Sequence, residues 1–406
     1  MRHSAARFRR AVLGRDLEPR VRAVAAISLI YSASLSTFWG YIGVFAVEGL
    51  HWRPGQVGLL FLVEAPMGAV ANYLSGHLSD RIGRKRPIIA SFLASSVNVT
   101  ALAVLGGHTA VAFGLIALQG VIGAPAYSLD RVLVADLVHE DDGRELAYAT
   151  VRVAGNLGAF AGPPVAALLI SVGGWSSFLI GIAGLGLAGT AITAVFLPET
   201  GGHLPGDLTR PGSLRLIARD RPFLLLLLST MLGFFVYCGF ETVLPVIAVS
   251  SYGLPAPTWG LLVAIGPLLI VLGQIRLTLA VSRVPTAGRM AAALLCMGLP
   301  FLTFIASNAV IVIALVIAVF IVGEMVWMPT SQMLAAELAP AYARGAYLGA
   351  VAATTGVAWT ITPLIALQLR AHIGVASVWI FFAAVALAAV ATGLAAVRAA
   401  GPHHGL

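Results

Sequence analysis

Long apolar runs, separated by short polar breaks, occupy almost the whole of this 406-residue sequence. Only 10% of the residues are charged and the mean hydropathy is +0.93, whereas a soluble domain carries about 25% charged residues. Because so few charges do not cover a water-facing surface, lipid must be the solvent for much of the chain. Twelve membrane spans of about 22 residues would use roughly 260 positions, which leaves room for loops but not for a large soluble domain.

Turn and boundary residues divide the apolar sequence into twelve predicted membrane-spanning helices. Two of these breaks are Gly106-Gly107-His108 and Gly173-Gly174-Trp175. The predicted helices cover residues 23–47, 55–79, 86–106, 110–137, 146–171, 175–197, 222–249, 257–281, 287–307, 309–336, 344–369 and 374–397.

The distribution of lysine and arginine predicts the orientation of these helices, because cytoplasmic loops are enriched in both residues. Seven arginines lie in the first 22 residues, and placing this segment inside puts twenty of the 25 Lys and Arg residues on the cytoplasmic side. Arg53 and Arg370 then lie outside, while Arg131, Arg152 and Arg276 lie within spans. We therefore predict a multi-pass protein of a bacterial inner cell membrane with both termini in the cytoplasm.

The chain is predicted to consist of two similar halves. Residues 57–60 (VGLL) recur at 259–262 (WGLL), and Pro163 recurs as Pro363, at offsets of 202 and 200 residues. Chance agreement in a sequence rich in Ala, Gly, Leu and Val is the alternative to duplication. The predicted organisation is an N-terminal tail (1–22), an N-terminal six-helix bundle (23–197), a cytoplasmic linker (198–221), a C-terminal six-helix bundle (222–397) and a C-terminal tail (398–406).

The loop after the second predicted helix carries the most specific motif. Residues 76–86 read GHLSDRIGRKR and resemble the signature loop of the major facilitator superfamily, in which Gly, three residues, Asp, Arg, one residue and Gly precede a basic run. The resemblance implies an all-α membrane protein of the major facilitator fold, with twelve transmembrane helices in two pseudo-symmetric six-helix bundles and a cavity that opens alternately to each side. It also implies a transporter rather than an enzyme.

The signature loop is predicted to form a gate on the cytoplasmic side. Glycine permits close backbone approach and sharp turns, and Asp80 can face the positive N-terminus of a helix from the other half. Charges at the ends of the fourth and fifth helices would join the same cluster. The predicted gating residues are Gly76, Asp80, Arg81, Gly83, Arg84, Lys85, Asp136 and Arg144. The alternative is a loop of solvated charges without a gating role.

A second resemblance lies in the fifth predicted helix, at residues 155–167 (GNLGAFAGPPVAA). It is similar to the antiporter motif of drug–proton exporters of this superfamily, although Ala166 and Ala167 replace the last two glycines of that motif. Gly158 and Gly162 give a small-residue face for tight helix packing, and Pro163 frees a backbone carbonyl. The motif favours export over uptake, and plain helix packing is the alternative.

Two positions depart from the family pattern. Many proton-coupled exporters carry an Arg three residues before a Gln-Gly pair in the fourth helix, but here Ile116 precedes Gln119-Gly120. The counterpart of the signature loop in the second half, from Gly273 to Arg283, lacks the Asp. We therefore expect proton coupling to use other acids of this chain.

Ionisable residues inside spans are costly and are functional candidates. The predicted proton-coupling residues are Asp130, Arg152, Glu241, Glu324 and Glu64. Asp130 and Arg152 would lie at a similar depth of ~10 Å from the inside, where they would form either a proton-sensitive pair or a static one. Glu241, one turn after Tyr237, and Glu324 can carry a proton or bind a cationic substrate. The alternative is an acid that is hydrogen-bonded within the bundle and has no transport role.

Aromatic residues in the spans are candidates for lining a substrate cavity. The residues predicted to bind substrate are Tyr31, Tyr41, Tyr237, Trp327 and Trp359, with packing against helices or lipid as the alternative. Cys238 and Cys296 are interpreted as ordinary core residues. The sequence contains no His pair with metal-ligand spacing in a span and no phosphate-binding Gly-rich loop, so we expect no enzyme activity, no metal and no other cofactor.

These features predict a secondary active transporter that exports small amphipathic or drug-like molecules as protons enter. Its expected partners are a small-molecule substrate, protons and the lipid bilayer, but not nucleic acid, and we expect a monomer. Two alternatives of the same fold stay open, namely a proton-coupled uptake permease for a small metabolite and a flippase for a lipid-like substrate. Sodium coupling is also open, whereas the intact signature loop disfavours a non-transporting receptor or scaffold.

Overall fold

The structure, a computed structural model, describes residues 19–137, 144–199, 216–340 and 344–400. The described residues are almost entirely helical and contain no strand, as the sequence predicts. We number the helices α1 to α12 in chain order. They are α1 (Pro19–Val44, with a π-helical end at Phe45–Gly49), α2 (Pro54–Ile82), α3 (Lys85–Leu105), α4 (Thr109–Leu137), α5 and α6 (residues 144–172 and 175–196, the two parts of Arg144–Phe196), α7 (Arg221–Cys238, a π-helical turn Gly239–Val243, and Leu244–Ser250), α8 (Ala256–Val263 and Ile265–Val281), α9 (Thr286–Gly298, with a 3₁₀ end at Leu299–Ile305), α10 (Val310–Leu338), α11 (Arg344–His372) and α12 (Val375–Ala400).

Among the described residues, nine helices are long and apolar enough to cross a membrane. One of them, Thr150–Phe196, has 47 residues, which is long enough for two passes. Its helical backbone is interrupted at Gly173 (φ −137°, ψ 17°) and at Gly174 (φ 65°, ψ −160°). A positive φ is readily adopted only by glycine, so this dipeptide separates α5 from α6 where the sequence predicts a break.

The chain divides into two compact units. The N-terminal unit comprises Met1–Phe45 and Pro66–Pro205, and the C-terminal unit comprises Ala46–Ala65 and Gly206–Leu406. One of these divisions falls within the predicted linker at residues 198–221, and residues 46–65 group with the second half. The contacts of Gly58 in α2 explain this grouping, because a Cβ there would lie only 3.0 Å from the carbonyl oxygen of Pro363 in α11. The two six-helix bundles and their linker stay a prediction.

The N-terminal unit buries an aliphatic core between α1, α3, α4 and α5. Its fully buried side chains include Val24, Ile27, Ile88 and Leu133. Aromatic rings extend this core along α1, where Tyr41 lies 5.6 Å from Phe178 of α6 between ring centroids. These apolar contacts pack the helices closely, and side-chain hydrogen bonds, such as that from the Ser91 hydroxyl of α3 to the Ile122 carbonyl of α4 at 2.6 Å, add to the packing.

The core of the C-terminal unit is aromatic. Phe301 lies 5.4 Å from Trp379 and 5.7 Å from Phe382 between ring centroids, so that α9 and α12 are joined by stacked and tilted rings. All three side chains are fully buried. Large aromatic side chains contribute more buried area than aliphatic ones, and this core supports the segment of α7 that carries Glu241.

Candidate functional site

Two of the predicted coupling acids come together in the C-terminal unit. Glu241 lies in the π-helical turn of α7 and Glu324 lies in α10. The Tyr237 hydroxyl lies close enough to the Glu241 carboxylate to interact with it. Glu324 is close enough to interact electrostatically with both Glu241 and Tyr237. We define Tyr237, Glu241 and Glu324 as the acid cluster.

The π-helical turn that carries Glu241 has a cause in the sequence. Pro245 has no N–H with which to continue the ordinary helical ladder, and the Leu244 N–H bonds to the carbonyl of Gly239 five residues earlier. The missing Cβ of Gly239 also matters, since any Cβ there would overlap the ring of Phe382 in α12. Such π-helical turns are frequent at functional sites, and this one sets the direction of the Glu241 side chain.

Buried aromatic rings surround the acid cluster. Phe240 of α7 and Phe320 of α10 stack with ring centroids 4.1 Å apart and are almost completely buried. Tyr237 lies 6.4 Å from Phe320 between ring centroids. Tyr237, Glu241 and Glu324 are themselves only partly buried. The carboxylates therefore lie at the accessible edge of an apolar cluster, where an unpaired charge is costly.

The predicted substrate-binding aromatics occupy different environments. Trp327 is fully buried and packs on Phe234, with ring centroids 4.9 Å apart, while Tyr41 is fully buried with its hydroxyl 3.5 Å from the carbonyl oxygen of Pro163. Tyr31 and Trp359 are partly buried. Tyr31, Tyr237 and Trp359 are therefore the predicted residues with surface that a substrate can reach in this structure. Substrate binding by all five stays a prediction.

The N-terminal unit contains a small cavity that the sequence analysis did not identify. It lies between α1, α3 and α4 and is lined by Tyr31, Ser34, Trp39, Ser91, Ser95 and Gln119, together with apolar neighbours. Gln119 donates to the Ser95 hydroxyl at 2.6 Å and accepts from the Asn98 amide at 2.8 Å. Because Ser91, Ser95 and Asn98 recur at helical spacing in an apolar span, a polar stripe on α3 was the sequence signal for this network.

The glycines of the fifth predicted helix lie against α1. A Cβ on Gly158 would overlap the carbonyl oxygen of Leu29, and a Cβ on Gly162 would lie 2.7 Å from the carbonyl oxygen of Ala33. Gly155 is also close to α1, with the Ser28 hydroxyl 3.0 Å from the position of a Cβ. The small-residue face therefore brings the α5 and α1 backbones into direct contact.

The remaining predicted coupling residues are not brought together by described contacts. Arg152 is exposed on α5, and Glu64 is partly buried on α2. The side chain of Asp130 lies outside the part of the chain that the structure describes, so the predicted pair of Asp130 with Arg152 stays a prediction.

The structure describes only some residues of the predicted gate. Gly83 has a φ of 86°, the left-handed conformation that glycine adopts most readily. Arg84 is buried and Lys85 begins α3. The other predicted gating side chains lie outside the described part of the chain. They are Gly76, Asp80, Arg81, Asp136 and Arg144.

The geometry and the span pattern agree with comparisons to known proteins. The family model of the Major Facilitator Superfamily matches residues 24–363, and the chain belongs to this family of transporters. A similar protein of known activity is a Na⁺, Li⁺, K⁺/H⁺ antiporter from Planococcus maritimus, which is 22% identical over 81% of this chain and 85% of its own length.

Solved structures share the fold. The nucleoside transporter NupG superimposes with a TM-score of 0.78 at 13% identity and covers 94% of this chain and 100% of its own. A peptide transporter POT in complex with sulfate superimposes with a TM-score of 0.77 at 17% identity, over 95% of this chain and 94% of its own. The chain is thus a multi-pass membrane transporter with the major facilitator fold, as predicted, and is not an enzyme. Among the described residues, no group of three His, Cys, Asp or Glu side chains could hold a metal ion.

Proposed function

We propose that this protein is a secondary active transporter that exports small amphipathic or drug-like molecules in exchange for protons. The acid cluster is the observation that carries this proposal. Two carboxylates in such an apolar setting are costly to keep charged together, and either protonation or the binding of a cationic group relieves that cost. Competition between the proton and the substrate for Glu241 and Glu324 would couple their movements in opposite directions.

The surroundings of the acid cluster favour an organic cation as the substrate. Phe240 and Phe320 stack on each other and form an apolar wall beside the carboxylates. The partly buried ring of Tyr237 is an aromatic surface that a cation can approach there, and aromatic faces attract cations. Tyr237 interacts with Glu241, and Glu324 interacts electrostatically with the same carboxylate. An amphipathic cation matches both the charge and the apolar wall.

The direction and the gate are further parts of the proposal. The resemblance of residues 155–167 to the antiporter motif supports export, and the basic N-terminal segment supports cytoplasmic termini in a bacterial inner membrane. We also propose that the signature loop at residues 76–86 closes the cytoplasmic side. Asp80→Asn should then reduce transport strongly at unchanged expression, and full activity of this variant would remove the gate assignment.

Exchange of an inorganic monovalent cation for protons is a second candidate. It is favoured by the similarity to the Na⁺, Li⁺, K⁺/H⁺ antiporter, which extends over most of both chains. Carboxylate oxygens are suitable ligands for hard cations. In this alternative, the cation would bind between Glu241 and Glu324 without needing the aromatic wall.

Transport by inverted membrane vesicles tests the proposal and separates the two candidates. Vesicles are energised to generate an acidic interior, and uptake of ethidium and tetraphenylphosphonium is compared with proton release on addition of Na⁺, Li⁺ or K⁺. We expect accumulation of the organic cations that a protonophore abolishes. A response to inorganic cations alone would favour the second candidate, and no response to a proton gradient with any compound would contradict proton coupling.

A further inference from the structure

The crossing of α8 and α10 brings a polar side chain to the residue that follows Glu324. Gly273 of α8 faces α10, and a Cβ there would lie 3.2 Å from the Met325 Cε atom. The next residue, Gln274, extends across this narrow crossing, and its amide Nε2 donates to the backbone carbonyl of Met325 at 2.9 Å. A side chain of α8 thus bonds directly to the backbone of α10.

The carbonyl of Met325 is available because of Pro329. In an α-helix this carbonyl would accept from the backbone N–H four residues later, but Pro329 lies inside α10 at that position and has no N–H. A freed carbonyl within the membrane needs another donor, and Met325 is buried. Gln274 supplies that donor, so the side chain of one helix completes the hydrogen bonding of another.

The Gln274 amide is held in place by its own helix. Its Nε2 also donates to the Thr278 hydroxyl at 3.2 Å, and that hydroxyl in turn donates to the Gln274 backbone carbonyl at 2.8 Å. Both N–H groups of the Gln274 amide are therefore engaged. This arrangement fixes the amide in the orientation that reaches Met325.

We propose that Gln274 is a positioning residue for Glu324, acting through the Met325 carbonyl that Pro329 leaves free. The joint formed by Gln274, Met325 and Pro329 fixes the turn of α10 that presents Glu324 to Glu241. Gly273 and Gln274 belong to the degenerate counterpart of the signature loop, which has lost its Asp but keeps its first glycine, as Gly273, at a helix crossing. The coupling role of this joint rests on the proposed function. Its effect on the protonation of Glu324 does not.

The test measures the protonation of Glu324 directly, in the full-length protein in lipid nanodiscs. Infrared spectroscopy over a range of pH follows the carboxyl band that Glu324→Gln removes. We expect Gln274→Leu to move the midpoint of this band by about one pH unit, because one lost hydrogen bond and one pH unit correspond to similar free energies. Gln332→Leu makes the same change at an exposed position of α10 and should leave the midpoint in place.

A double variant makes the test specific to the joint. Pro329→Ala restores an N–H that can bond to the Met325 carbonyl, so Gln274→Leu should have little effect in the Pro329→Ala background. If Gln274→Leu reduces the yield of folded protein, Thr278→Val supplies a milder change, which should move the midpoint in the same direction by a smaller amount. An unchanged midpoint in Gln274→Leu, or the same shift with and without Pro329→Ala, would overturn the proposal.

Transport measurements separate this inference from the proposed function. If the joint positions Glu324 in a proton-coupled transporter, Gln274→Leu should shift the pH profile of ethidium transport. At the shifted pH, the variant should transport ethidium as fast as the wild type does at its own optimum. If Gln274→Leu shifts the infrared midpoint but Glu324→Gln does not change transport, the result would support the joint and reject the coupling role. An unshifted midpoint with transport that depends on Glu324 would reject the joint alone.

Discussion

The two units place polar groups inside the membrane in different ways. In the N-terminal unit, Gln119 bonds to Ser95 and to Asn98, and the polar side chains described around the cavity are uncharged. In the C-terminal unit, Glu241 and Glu324 lie together at the edge of stacked aromatic rings. The polar network described in the first unit thus consists of neutral groups that bond to one another, whereas the second unit holds two acids whose charge state can change.

Under the proposed function, this difference would divide the roles between the two units. A neutral network whose members bond to one another keeps the same hydrogen bonds at every pH, so it suits a rigid element. An acid pair responds to protons and cations, so it suits a coupling element. Close helix contacts occur in both units, because a Cβ on Gly162 of α5 or on Gly323 of α10 would lie 2.7 Å from a backbone carbonyl oxygen of a neighbouring helix. The difference between the units therefore lies in their charged groups.

The largest effects are expected at the acid pair. Glu241→Gln and Glu324→Gln should each lower proton-driven transport by about a hundredfold or more, because neutral glutamine no longer exchanges a proton, and general acid–base groups contribute factors of this size. Transport of ethidium into inverted vesicles measures the loss. Glu199→Gln, an exposed position at the end of α6, is the matched control and should transport normally.

Counterflow, in which labelled substrate exchanges without a proton gradient, sharpens this prediction. A variant that retains counterflow but loses proton-driven accumulation has lost coupling and kept binding. If both glutamine variants accumulate substrate like the wild type at every pH, the division of roles between the units is incorrect.

The next largest effect is expected where α5 meets α1. Gly158→Leu should destabilise the protein by about 3 kcal/mol or more, because the new side chain would overlap the α1 backbone at Leu29 and overpacking of this kind is poorly relieved. Thermal unfolding followed by size-exclusion chromatography measures the change. Gly184→Leu is the control, since no atom lies within 4 Å of a Cβ at that exposed position of α6. Equal unfolding temperatures for the two variants would contradict the tight crossing.

A smaller loss of stability is expected in the neutral network. Gln119→Leu should cost about 1–3 kcal/mol, because it removes an acceptor from Asn98 and a donor to Ser95 in a buried setting. Replacing Asn98 by Leu as well should cost less than the sum of the single changes, since each single change already breaks the bond between Asn98 and Gln119. Unfolding temperatures of the single and double variants test this, and strict additivity would contradict the network.

The sequence predicted the fold well because the bilayer imposes simple rules. Span length, helix-breaking glycines and the signature motif each depend on local sequence, so breaks such as Gly173-Gly174 and the membership of the family followed from the residues alone. The acids Glu241 and Glu324 were also found, since ionisable residues stand out in an apolar span. Their proximity was not predictable, because they are separated along the chain and the π-helical turn at Gly239–Val243 sets the direction of Glu241.

Interactions that depend on helix crossings were missed for the same reason. The bond from Gln274 to Met325 requires knowledge of which face of α8 meets α10, and the grouping of residues 46–65 with the C-terminal unit requires the contact of Gly58 with Pro363. Neither has a periodic signal in the sequence. Trp327 is a residue that the sequence did identify but whose environment it left open. An aromatic residue near mid-span could line a cavity or pack in a core, and here it is fully buried.

The smallest expected effect concerns pH and the loop after α7. Burial raises the pKa of the Tyr252 hydroxyl from 10.0 to about 12, although a hydrogen bond with Trp379 opposes the rise; the hydroxyl accepts from the Trp379 Nε1 at 2.7 Å. Because the folded-state pKa is raised, Tyr252 contributes stability below pH 10 that is lost between about pH 10 and pH 12. Tyr252 is only partly buried, so screening by solvent should keep this contribution below about 2 kcal/mol.

Tyr252→Phe tests this contribution in the C-terminal unit. The variant loses the acceptor for Trp379 and should be slightly less stable at neutral pH, but its stability should fall less steeply between pH 10 and pH 12, where the wild type loses the Tyr252 contribution. The window is favourable because Lys85 is the single lysine of the chain, so few side chains other than the nine tyrosines titrate there. Unfolding temperatures across this window measure the slope, and parallel curves for the two proteins would contradict the raised pKa of Tyr252.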